Sequence, residues 1–171
     1  MNALTQAIYS ALAADSTLSA MLPSYGGGPA IITADPVPYD VPRPYVVTAQ
    51  PLNDQPFDGK NTVLGHTIHQ DVRVVADATG SSQQIEAIAE RVRALLHRQS
   101  IAVAGFTMIV ADVSGPVAAP SDPRIMMLSL TARFVLCDNM DSAHSQGMTN
   151  HSITYSHLSV RAEGGVNGYS T

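Results

Sequence analysis

Six histidines and a single cysteine are the side chains of this chain best suited to holding a metal or attacking a substrate. Their spacing argues against both. His66 and His69 stand three apart in a stretch that reads as a strand, where successive side chains point to opposite faces. They diverge, whereas a zinc site needs converging ligands. His144, His151 and His157 are irregularly spaced in a polar segment, where only a site shared between subunits would gather them. Cys137 ends an alternating apolar run and reads as a small, inert core residue. Gly26-Gly27-Gly28 lacks both the Lys-Ser/Thr pair and the helix start of a phosphate loop. Neither Ser10 nor Ser114 sits on the strand–turn–helix elbow that presents a nucleophile. Asp112 and Asp122 read as turn and cap residues. The expectation is a protein that is not an enzyme, with no catalytic residue, metal or cofactor.

The frame around these residues reads α-α-β-β-β-α-β-β. Leu4, Ile8 and Leu12, with Ala7 and Ala11 beside them, form one helical stripe over residues 3–13. Asp15 or Ser16 caps a short second helix carrying Leu18, Met21 and Leu22, which Pro23 stops. Residues 30–33 read as a short strand. Prolines 36, 38, 42 and 44 then forbid helix and hold the chain extended. Tyr45 to Ala49 suits a half-buried strand. Residues 50–62 carry the turn chemistry of Asp58-Gly59 and read as an exposed loop or hairpin tip. Val63 to Ala76 returns as a long strand with Val72, Val74 and Ala76 on one face.

Residues 82–98 give the clearest helix, with a stripe of Ile85, Ile88, Val92 and Leu95 widened by Ala89 and Leu96. Ser81 and Gln84 fit a capping box. Phe106 to Val113 is a strand. Ile125 to Leu136 is the last, with Met126, Leu128, Leu130, Ala132, Phe134 and Leu136 alternating against Ser129, Thr131 and Arg133. The fold class is α+β: a mainly antiparallel sheet with helices packed on one face.

At 171 residues the chain accommodates one domain, residues 1–136, and a C-terminal extension or arm, residues 137–171. From Asp138 onward it is rich in Ser, Asn, Gly and His, too poor in large apolar groups to offset its own ordering entropy. Ser152 to Val160 alone has enough apolar character for a strand laid on a neighbour, with Tyr155 and Leu158 as anchors. Charged residues are only 13%, which fits a subunit partly covered by neighbours or a surface made polar by Ser, Thr, Gly and Pro. A net charge of −5 disfavours gripping phosphates. The lone cysteine fits a reducing cytosol. No apolar run approaches the roughly 20 residues of a membrane span, and the opening residues lack a signal peptide's basic flank. Synthesis and assembly in the cytoplasm are expected.

Three pieces of the chain resemble a known family. "LTQAIYSALAADSTLSAML" resembles an opening helix, an Ala-Asp break and a short second helix. "RPYVVTAQPL" followed by "GHTIHQDVRVVAD" is similar to that family's Pro-Tyr strand and its paired long strand. Helix 82–98, "GFTMIVADVSGPV" and "DPRIMMLSLTARFVL" are similar to its closing helix and strand pair. The family is the tail-terminator and tail-completion proteins of long-tailed bacteriophages, and the likeness covers residues 1–136. It implies a structural virion protein at the tail–neck junction. Its copies would form a homo-oligomeric ring, a hexamer in the family's pattern, that caps the tail tube, ends its polymerisation and joins it to a neck or head-completion protein. DNA would pass through the lumen without specific binding, and no membrane is involved. Asn53, Asp54, Phe57, Asp58 and Lys60 in the 50–62 stretch, with Tyr155 and Leu158 in the extension, are the expected partner contacts. The competing readings are another head–tail connector or neck protein, and a small cytosolic enzyme or ligand-binding oligomer with a deep polar pocket.

Overall fold

A computed structural model describes residues 2–48, 51–59, 63–78, 81–120 and 122–139. Helix α1 spans Asn2–Ala13 and α2 spans Ser16–Met21. Leu4, Ile8, Leu12 and Leu18 are wholly buried, as the helical spacing predicts. Asp15 is the cap of α2: its carboxylate accepts the Leu18 N–H at 2.7 Å. A two-strand hairpin follows, β1 at Ser24–Tyr25 and β2 at Gly28–Pro29. Gly26 and Gly27 between them have φ of 60° and 87°, which a tight hairpin turn demands and side chains resist.

The main sheet contains β3 (Ile31–Ile32), β4 (Tyr45–Thr48), β5 (Asn53–Asp58), β6 (Val63–Asp77), β7 (Phe106–Ala118) and β8 (Ile125–Asp138), with α3 (Gln83–Leu96) between β6 and β7. Its order is β3-β4-β6-β8-β7. Only the short β3–β4 pair is parallel. Along β6, β8 pairs from Gly65 to Asp77. On the other side of β6, β4 takes Val72–Val75 and β5 takes Val63–His69.

The helices lie on one face. Ile85, Ile88, Ala89, Val92 and Leu96 of α3 join Val72, Val74, Ala76, Leu130, Ala132 and Phe134 in one buried cluster. The expected stripe needs one correction. Leu96 is fully buried, whereas Leu95 is only partly buried. After Val92 the i+4 position faces the sheet, and the i+3 position turns toward α1. On the opposite face the Pro-rich stretch folds back over the sheet. Ala30, Ile32 and Val41 form a second small cluster there. Arg73 reaches Asp35 at 2.6 Å and Arg43 reaches Asp77 at 2.7 Å, tying that stretch to β6.

Two further readings are corrected. Residues 53–58 form an edge strand rather than a loop. The capping box does not form, because the helix starts at Gln83 with Ser82 as its cap. Ser81 Oγ instead accepts the Gln83 N–H at 3.3 Å.

Candidate assembly surface

The expected contact residues Asn53, Asp54, Phe57 and Asp58 come together on β5. Lys60, Tyr155 and Leu158 lie outside the described residues. Asn53 pairs with His69, Asp54 with Ile68 and Phe57 with Gly65, followed by a register shift before Asp58. Asn53, Asp54 and Asp58 are exposed and Phe57 is half-buried. Among the described residues β5 pairs only with β6, so its other edge carries unpaired backbone groups.

Strand residues alternate, so β5 presents different chemistry on its two faces. On the helix side, Asp54 Oδ1 lies 2.8 Å from His66 Nδ1. The His66 ring stands edge-on to Phe106, centroids 5.9 Å apart. On the other side, Phe57 covers Gly65. A Cβ at Gly65 would come within 2.7 Å of the Phe57 ring and would run into the Leu136 carbonyl oxygen. The aromatic ring thus fills the place of the missing side chain and fixes the hairpin's register.

The far edge of the sheet is β7. It breaks register between Met108 and Val110 and again between Ser114 and Val117. Such bulges, with Pro116, blunt an edge against uncontrolled pairing. Part of this edge is closed by α3's end. The Arg98 N–H donates to the Ala111 carbonyl at 2.7 Å, and the Val113 N–H donates to His97 Nδ1 at 3.1 Å. Ile109 and Val117 remain 58% and 65% exposed, which makes β7 a second, more apolar edge. Sequence reading did not single out these two residues, although both lie in a strand of otherwise alternating pattern.

The strongest electrostatic contact lies away from both edges. Arg91 grips Asp15 with two bonds, Nε to Oδ1 at 3.0 Å and Nη2 to Oδ2 at 2.5 Å. The Arg91 hydrogen bond, assisted by the Leu18 N–H, holds the Asp15 carboxyl below its ordinary value. This pair joins α2 to α3 and is structural. Burial, and then a hydrogen bond to Asp40, push the Tyr25 phenol up. Neither group belongs to a convergent acid–base set.

A family model described as tail completion protein gp17 matches residues 6–134. The chain belongs to that family. The match runs from within α1 into β8 and so takes in both edges described above. The tail completion proteins are structural components of phage tails, and the chain is accordingly a structural virion protein. A chain in the virion of a native gene transfer agent particle shares the fold at TM-score 0.64 and 20% identity, covering 78% of this chain and 94% of that one. A second solved chain aligns at TM-score 0.50 and 12% identity, covering 77% and 94%. No curated protein matches the chain by sequence.

Proposed function

We propose that the tail completion chain assembles head to tail into a hexameric ring that caps the tail tube, ends its polymerisation and joins it to the head-side neck. Family membership supplies the setting. The observation that carries the reading is the pair of unlike edges on one sheet among the described residues, polar and unpaired along β5 at one side, apolar and only partly closed along β7 at the other. A head-to-tail ring needs two different surfaces on each copy, and closing it removes both edges from solvent.

In this reading residues 1–136 form the ring body. The β5–β6 hairpin, through Asn53, Asp54, Phe57, Asp58 and the following Lys60, touches the tube protein or the adjacent subunit. Residues 137–171 form an arm that lies along a neighbouring subunit or neck protein, with Tyr155 and Leu158 as apolar anchors. Six copies of −5 give a ring of about −30, which repels a transiting polyanion and suits a conduit rather than a clamp. The assembly works at the tail–neck junction after synthesis in the host cytoplasm.

Particles produced without the chain test this reading. The expected outcome is tubes of uncontrolled length without heads, with added chain restoring a ring at the tube end in electron micrographs. Tails of uniform, normal length in its absence refute the reading.

A further inference from the structure

A groove runs between α1 and the segment after α3, and holds about 730 Å3. Ala3, Ala7 and Ala11, four apart on α1, share one wall; Leu95, Ile101 and Ala104 contribute to the other. None of the side chains lining it is ionisable. The whole of α1 is uncharged, NALTQAIYSALA. A surface helix on a free protein ordinarily turns charged residues to water. This one presents half-buried alanines beside the neutral polar Gln6 and Ser10, and the small alanines leave space that an incoming chain segment can fill.

The described chain ends at the rim of this groove. The Asn139 N–H donates to the Gly105 carbonyl at 3.1 Å, and Thr107 Oγ1 donates to Asn139 Oδ1 at 2.6 Å. Gly105 adjoins Ala104 of the groove wall. Beyond Asn139, residues 152–160 read SITYSHLSV, with Ile153, Tyr155, Leu158 and Val160 among hydroxyls, one histidine, His157, and no Asp, Glu, Lys or Arg. A segment without a fixed charge entering a groove without one strands no ion away from water while His157 is neutral.

We infer that this groove is the receiving site for Ser152–Val160 of a neighbouring copy of the same chain. The inference rests on the ring reading and names where its arm lands. Residues 140–151 reach at most about 40 Å when extended. A folded unit of this size is about 35–40 Å across by the usual scaling. The linker is therefore long enough to cross to the next subunit. It is far longer than a return to the groove beside its own exit requires.

The test uses full-length chain carrying Tyr155→p-benzoylphenylalanine, as an equal mixture of heavy-isotope and normal protein combined before assembly. After irradiation, crosslinked peptides are identified by mass spectrometry. The expected result is heavy-to-light crosslinks onto α1 or residues 99–104. Ala104→Arg, at an exposed position, should abolish them with an unchanged melting temperature. Crosslinks confined to same-isotope pairs, crosslinks onto another surface, or crosslinks that survive Ala104→Arg overturn the inference. Native mass spectrometry of the same sample separates the two claims. A monomer at every concentration sinks the ring reading, whereas a ring with crosslinks elsewhere sinks only the arm's landing site.

Discussion

Strand β6 passes through two environments. From Gln70 to Ala76, the residues Gln70, Val72, Val74, Val75 and Ala76 are buried, with β4 and β8 alongside and α3 packed on the same face as Val72. From Val63 to His69 β8 still runs along one side, but polar β5 replaces β4 on the other; Ile68 is wholly buried, whereas Val63 is 42% exposed and His66, Thr67 and His69 are only half-buried. The first half is held by side-chain burial on most of its residues. The second has one large core side chain, Ile68, and otherwise rests on ladder hydrogen bonds, one ring over one glycine and a histidine–carboxylate pair. A segment with little burial of its own has the most to gain from a partner. The covered half therefore makes the fold, and under the proposed function the bare half is where assembly adds contacts.

The largest effect that tests this contrast is in the covered half. Ile88→Ala should cost about 2–5 kcal/mol, since Ile88 is wholly buried between helix and sheet. Leu95→Ala, at the half-buried position, should cost distinctly less by urea unfolding. Equal losses would break the distinction between the buried and the half-buried positions of the helix stripe.

Next comes Gly65→Ala. The added methyl meets backbone at Leu136 and Cys137 as well as the Phe57 ring, and backbone yields little. A loss of about 1–3 kcal/mol is expected, as for overpacking generally. Phe57→Ala in the same background should recover only part of it, because the ring is only one of the three obstacles.

The helices packed over the covered half also contain a titrating contact, Asp15 with Arg91. A carboxyl held below its ordinary value of 3.8 adds stability above that value and loses it as pH falls through the lower folded-state value. Asp15→Asn should therefore lower the urea midpoint at neutral pH. The gap to the parent should close in acid. A gap independent of pH would show that the Arg91 pair is not its source.

The smallest effect belongs to the bare half. Asp54→Ala should change stability by no more than about 1 kcal/mol, because the pair with His66 is solvent-facing. The same change should weaken attachment to tube ends in a pull-down. Full attachment with this variant would remove Asp54 from the contact surface.

What was legible in the sequence follows the same division. α1, α3, β6 and β8 could be read because burial imposes a period on side-chain type, as in the alternation from Met126 to Leu136. β5 was not readable as a strand. Its residues, NDQPFD, are poor strand formers, and its extended form comes from backbone pairing with β6. The exposure of Asn53, Asp54 and Asp58 was nevertheless legible, because polarity between two apolar strands marks exposure whichever way the backbone runs. At the end of α3 both Leu95 and Leu96 were read on the core face, but which of them is the fully buried one was not legible, since the two are chemically the same and only packing against α1 or the sheet separates them. Nothing in the sequence marked the apolar edge of β7 as open, because an edge is a property of neighbours rather than of residues.

Hydrogen exchange on the free chain and on the chain in assembled tails tests the central contrast most directly. The amides of β8 should be equally protected in both states. The outward-facing amides of β5 should exchange rapidly in the free chain and become protected on assembly. Equal exchange of β5 in the two states would contradict the account.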